Sequence, residues 1–167
     1  THSNNKLTFG GSNSATFDFN HNKSLSYEEI IAIEDLVNFY IRQNSPVQTK
    51  IMDIKNAEKE GAMMLFDEKY DSEVRVLSMG QDNNESVSVE LCGGTHVNHT
   101  GNIGLFKIMS EKSIAAGIRR IEAVTGHFAL EYLRIREQKL DILLKSLKIE
   151  QKFDEISINS DDFHHPQ

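Results

Sequence analysis

At 167 residues, with 38% hydrophobic and 26% charged side chains, the chain has the size and apolar content for one domain with a core and a terminal appendage. Its formal net charge of −7 at pH 7 argues against a broad nucleic-acid surface, which draws on clustered Lys and Arg, and leaves room for a local basic patch only. No apolar run approaches the length of a membrane span, and the single cysteine permits no internal disulfide, from which we expect a reducing, cytoplasmic setting.

Residues 1–13 are polar and rich in Asn, Ser and Gly, so a loop is expected there. In residues 15–20 the alternation puts Phe17 and Phe19 on one face of a short strand. Ser26-Tyr27-Glu28-Glu29 has the spacing of a capping box, in which the serine takes an amide of the first helical turn and the glutamate reaches back. Behind it Ile30, Ile33, Leu36, Val37, Tyr40 and Ile41 recur at helical spacing, and the helix should end near Asn44, ahead of Pro46. Residues 47–54 predict a strand, 55–61 a short helix with Gly61 at its exit, and 74–79 a strand that returns through a polar turn at 81–86 into 87–91. Two more strands are expected at 103–110 and 119–125, punctuated by Gly101, Gly104 and Gly117.

From about His127 the pattern is helical again, with Leu133, Leu140 and Leu147 seven apart and Leu144 in the same stripe. That spacing suits a coiled-coil seam or an ordinary amphipathic helix. Met63 and Met64 read as core filler. Residues 151–167 lose the pattern and are expected to form a flexible tail, with His164 and His165 exposed in it. The fold class expected is α+β, a mostly antiparallel sheet packed by the 26–44 helix, with a trailing helix after it.

The chemistry-bearing stretch is Cys92-Gly93-Gly94-Thr95-His96, directly after the alternation Val87-Ser88-Val89-Glu90-Leu91. A thiolate and an imidazole four residues apart suit zinc, which takes such ligands in a tetrahedral set, and two residues without Cβ let the backbone turn and a ligand approach. On spacing alone, a buried thiol near an unrelated histidine is the alternative. Thr95 is either a pocket hydroxyl or a turn-stabilising one. Glu90 is placed to orient a metal-bound histidine. Asp18 and His21 stand at a strand end, where such residues tie down loops. Arg119 and Arg120 alternate across a strand, so only one can face a ligand while the other faces out or pairs with Glu122. With Lys107 and Lys112 they are the candidates for a basic patch.

Glu90 to His96, Thr100-Gly101-Asn102-Ile103-Gly104 and the run from Gly117 to Gly126 together resemble the editing domain of alanyl-tRNA synthetase. The resemblance takes in Phe17-Asp18-Phe19 with His21, Glu34-Asp35-Leu36-Val37-Asn38, Gly61-Ala62-Met63, Phe66-Asp67-Glu68-Lys69-Tyr70 and the run from Val74 to Gly80, over residues 1 to 130 in the family's order. It implies hydrolysis of Ser-tRNA(Ala) and Gly-tRNA(Ala), a second sieve required because an alanine pocket rejects a smaller or singly hydroxylated side chain poorly. It also implies zinc, with Cys92 and His96 as two ligands, and Thr95 and Asn5 as catalytic candidates. Contact with the acceptor end of tRNA(Ala) falls to Lys107, Arg119 and Arg120. The rest of the synthetase chain is the other implied partner, and ATP-dependent aminoacylation belongs to it. In the family's layout residues 1–126 are the editing (second additional) domain core, 127–150 the helix toward the C-terminal domain, and 151–167 the tail.

Two departures stand out. The family's other zinc ligands, a His-x-x-x-His pair on an upstream helix, do not occur in these residues and would precede Thr1, so an N-terminally truncated domain is expected; His2, in a polar loop, is a poor substitute. The family's Gln-Lys-Gly-Ser run stands here as Asn5-Lys6-Leu7-Thr8, and Thr16 takes the place of an arginine before Phe17. Asn5 offers the same amide one methylene shorter. The rival readings are a catalytically inactive remnant that binds tRNA or a partner, and a free-standing trans-editing deacylase.

Overall fold

The computed structural model describes residues 6–9, 14–59, 62, 73–80 and 86–149. His2, Asn5, Met63, Met64, the 66–70 block, residues 81–85 of the polar turn and the 151–167 tail with His164 and His165 lie outside the described residues. Contacts divide the chain into two units, Thr1–Glu131 and Tyr132–Gln167.

Lys6–Phe9 forms strand β1, Ala15–Asn20 β2, Tyr27–Arg42 helix α1, Gln48–Asp53 β3, Ile54–Lys59 α2, Glu73–Met79 β4 and Ser88–Leu91 β5. A 3-10 turn at Thr100–Ile103 leads into β6 (Phe106–Ala115), β7 (Ile118–Thr125) and helix α3 (Gly126–Ser146). The α+β class is as expected, but the strands divide into two antiparallel sheets, one in the order β1-β2-β7-β6 and one in the order β3-β4-β5.

Two boundaries differ from expectation. Lys6–Phe9 is strand rather than loop. Its four residues pair with β2 from Lys6↔Asp18 to Phe9↔Ala15, so cross-strand hydrogen bonds outweigh the polar composition around them. Residues 100–103 turn before β6 begins, and β6 runs on to Ala115 against β7 with register shifts between Ile108 and Ser110 and between Ser113 and Ala115. Gly104 makes the junction possible: its φ is 75°, and a Cβ there would lie 3.0 Å from the Gly126 Cα.

Helix α1 begins as expected, with Ser26 Oγ accepting from Glu29 N at 3.1 Å and Glu29 Oε2 accepting from Ser26 N at 2.7 Å. Its inner face packs Ile30 and Ile33 on a core of Ile108, Ile121 and Ala123 with Phe19, Leu25 and Phe106. It also covers the outer edge of β6, an edge strand whose backbone groups would otherwise lack partners. Asn38 Nδ2 donates to Phe106 O and Asn38 Oδ1 accepts from Phe106 N, each at 2.9 Å. Glu34 Oε1 accepts from Ile108 N at 2.8 Å, and Glu34 Oε2 takes Lys107 Nζ at 2.6 Å. Glu34 and Asn38 are four apart and therefore share a helix face. The second sheet has its own core, Val74, Val76 and Leu91 against Ala57 of α2, with Met52, Ile54, Ala62 and Val89 around it.

In α3, Ala129 is fully buried, whereas Leu133 and Leu140 of the leucine stripe are exposed, as is Leu147 just past the helix end. No helix among the described residues is long and apolar enough to cross a membrane.

Candidate functional site

The β4–β5 hairpin builds the site by alternation. Val76 pairs with Leu91, Leu77 with Glu90 and Ser78 with Val89, and side chains of paired residues share a face. Val74, Val76, Val89 and Leu91 therefore point into the α2 core, while Arg75, Leu77, Glu90 and Cys92 take the opposite face. Cys92 N still donates to Arg75 O at 3.2 Å, so the ladder reaches the cysteine and stops there.

Beyond that bond the chain turns through two exposed glycines and the exposed Thr95 to a half-buried His96. The two donor side chains flank one gap: a Cβ on Gly94 would lie 3.7 Å from Cys92 Sγ and 4.0 Å from His96 Cε1. Cys92 is a free, half-buried thiol. His96 Nδ1 is shielded from solvent and has no hydrogen-bond partner among the described residues, an arrangement that costs on the order of 1–3 kcal/mol for a buried polar atom unless a water or a ligand completes it. His21 Nε2 is orphaned in the same way, but its charged neighbours Glu111 and Arg119 already pair with each other, and no thiol stands beside it. Of the two histidines, His96 is the one that shares a turn with the cysteine.

In donor type, a thiol and an imidazole on one turn, the pair suits two corners of a zinc tetrahedron. Among the described residues no third His, Cys, Asp or Glu joins them.

Downstream, the loop after His96 is pinned. Val47 N donates to Asn98 O at 2.9 Å and Thr100 N to Ser45 O at 2.9 Å. Ser45 N donates to Thr100 Oγ1 at 3.0 Å, and that hydroxyl donates to Tyr40 O at 3.0 Å. Thr100 and Ser45 are both buried, so this latch ties the far side of the turn to the end of α1.

The other candidates lie elsewhere in the fold. Lys107 is engaged by Glu34. Arg119 and Arg120 do fall on opposite faces of β7, but neither is hydrogen-bonded to Glu122. Arg119 makes a two-point pair with Glu111, Nη2 to Oε2 at 2.8 Å. Arg120 makes another with its cross-strand neighbour Asp18, at 2.6 and 2.8 Å. The hydrogen bond from Arg119 holds the Glu111 carboxyl below the usual carboxylate range, with the Leu25 backbone and the nearby His21 adding to it and burial opposing it. Asp18 raises the Arg120 guanidinium, and the charge of Glu122 adds to the effect. Glu90 shares the Cys92 face, but its Oε1 accepts from Ser88 Oγ at 2.6 Å. Lys112 is exposed.

Sequence reasoning passed over Arg75, whose Nη1 donates to the Gly94 carbonyl in the middle of the turn. Only the β4–β5 register, which places it opposite Cys92, could have singled it out. Glu34 and Asn38 were noticed only as part of the family resemblance, not as the groups that satisfy β6.

Residues 74–122 match the family described as threonyl and alanyl tRNA synthetase second additional domain, a segment that contains the whole Cys92–His96 turn. Over 132 residues, 79% of its length, the chain is 57% identical to the alanine–tRNA ligase of Rickettsia bellii (strain RML369-C). It spans 14% of the length of that relative.

Proposed function

This chain carries the second additional domain of the alanyl-tRNA synthetases, and from that premise we propose that it hydrolyses the ester of Ser-tRNA(Ala) and Gly-tRNA(Ala) at the Cys92–His96 turn. An aminoacyl ester is already activated, so the site has only to place a water, stabilise the developing oxyanion and reject alanine. Cys92 Sγ and His96 Nδ1 are the zinc donors, with the remaining ligands from outside the described residues. When bound, zinc supplies Lewis-acid polarisation and a nucleophile usable at neutral pH.

The residues of the turn do the rest. Gly93 and Gly94 are exposed and bare of side chains, so the tRNA 3′ end can approach the backbone closely. Thr95, exposed between the two donors, presents a hydroxyl to the incoming aminoacyl group, and Asn5 supplies the amide that the family places as glutamine. For the acceptor-end phosphates, Arg120 comes first, its side chain 36% exposed against 28% for Lys107 and 12% for Arg119. Each must share its charge with a carboxylate already in place, so these contacts position the RNA more than they bind it.

The observation that carries the proposal is the placement of the free Cys92 thiol and the His96 ring, whose Nδ1 is unpartnered among the described residues, on either side of Gly94. Serine release from Ser-tRNA(Ala), with Ala-tRNA(Ala) as comparison and zinc present, tests it. Selective release supports the proposal, and absence of release with zinc bound rejects it. The second reading, an inactive tRNA-binding module, is favoured by the donor count, two among the described residues. Cys92→Ala separates the two. Loss of both metal and deacylation marks the enzyme, while unchanged tRNA binding with no activity in either form marks the module.

A further inference from the structure

We infer that Arg75 is a positioning residue that holds the Cys92–His96 turn in the shape that sets the thiol and the imidazole on either side of Gly94; this deepens the metal reading above and rests on it. Arg75 lies on β4 opposite Cys92, on the same sheet face, and is bonded to it through the backbone. Its side chain then reaches past the cysteine, and Nη1 donates to the carbonyl of Gly94. One residue thus fixes the start of the turn with its carbonyl and the middle of it with its guanidinium.

That second contact matters because of what the turn lacks. Among the described residues, no other hydrogen bond reaches Gly93, Gly94, Thr95 or His96. Two consecutive glycines have the largest backbone freedom to lose, so without a tether the segment samples shapes in which thiol and imidazole part. A guanidinium on a carbonyl is a charge-assisted bond and stronger than a neutral one. The latch at Asn98 and Thr100 fixes the chain after His96, and Arg75 fixes it before.

The test uses the full 167-residue chain and zinc alone as probe, read as protection of Cys92 from alkylation. Arg75→Ala is expected to raise the zinc concentration for half-protection by about tenfold or more, the range found when groups orienting a ligand are removed. Arg75→Lys, which keeps a cationic donor, should recover part of that loss, and urea midpoints should stay close to the wild type. If Arg75→Ala does not fold, Arg75→Gln against Arg75→Lys gives the same contrast, with the cationic variant binding more tightly. Unchanged half-protection in the neutral variants overturns the inference. An equal shift in neutral and Lys variants with a matching fall in urea midpoint also overturns it, as a fold defect. Zinc that fails to protect the wild type removes the metal reading and this inference with it, whereas protection that Arg75→Ala leaves intact removes this inference alone.

Discussion

The two sheets differ in how their ionisable side chains are partnered, although each ends near one histidine with an unpartnered nitrogen among the described residues. In the four-stranded sheet the charged groups near the core are closed off in pairs: Glu34 with Lys107 and Ile108 N, Asp18 with Arg120, Glu111 with Arg119. Among the described residues, the end of the three-stranded sheet carries a free thiol and an imidazole whose Nδ1 has no hydrogen-bond partner, on a turn tethered by one side chain. Satisfied polar groups rigidify a fold, and unsatisfied ones mark a place where a ligand completes the structure. The first sheet is a frame; the second carries the turn proposed as the site.

The contrast breaks most sharply at Cys92. Cys92→Ala is expected to take zinc binding and deacylation to background while the urea midpoint stays near the wild-type value, since the thiol lies past the end of the β5 ladder. Glu34→Ala should do the reverse. It strands the Ile108 amide and the Lys107 ammonium and costs about 2–3 kcal/mol in urea unfolding, with zinc protection of Cys92 unaffected once the protein is folded. A smaller and more local effect separates the two glycines. A methyl on Gly94 would occupy the gap between the donors, whereas nothing lies within 4 Å of one on Gly93. Gly94→Ala should therefore weaken zinc protection several-fold, and Gly93→Ala should leave it unchanged.

The smallest effect is a pH dependence confined to the frame. Glu111 is held below its ordinary range by Arg119, so its contribution is fully present at neutral pH. That contribution declines only as the pH falls below about 4.3, the unfolded-state value, toward the lower folded-state value. Urea midpoints measured from pH 7 down to pH 3 should fall less steeply in Glu111→Gln than in the wild type. Parallel curves would place the acid sensitivity elsewhere.

What the sequence revealed follows the range of the interactions. The capping box at Ser26 and Glu29, strand β2 and the β4–β5 hairpin are local, and their residues announce them. Cys92 and His96 stand four residues apart, so the sequence alone places them on one short turn. The partners of Arg119 and Arg120 were not, because Glu122, close in sequence, was displaced by Glu111 across a hairpin and by Asp18 from a distant strand. The division into two sheets depends on β2 pairing with β7, which no window of sequence contains. Arg75 acts through register, so its role emerges only once Val76 is known to face Leu91. Strand β1 was hidden in a run of Asn, Ser and Gly because its partner, not its composition, makes it a strand.

The contrast between the sheets rests on the proposed hydrolytic site at the Cys92–His96 turn. Its most direct test is the ratio of serine release from Ser-tRNA(Ala) to alanine release from Ala-tRNA(Ala), measured for the wild type and for Cys92→Ala with zinc present. A hydrolytic site there predicts a ratio well above one in the wild type and no release above background in the variant. Equal rates in the two proteins would contradict it.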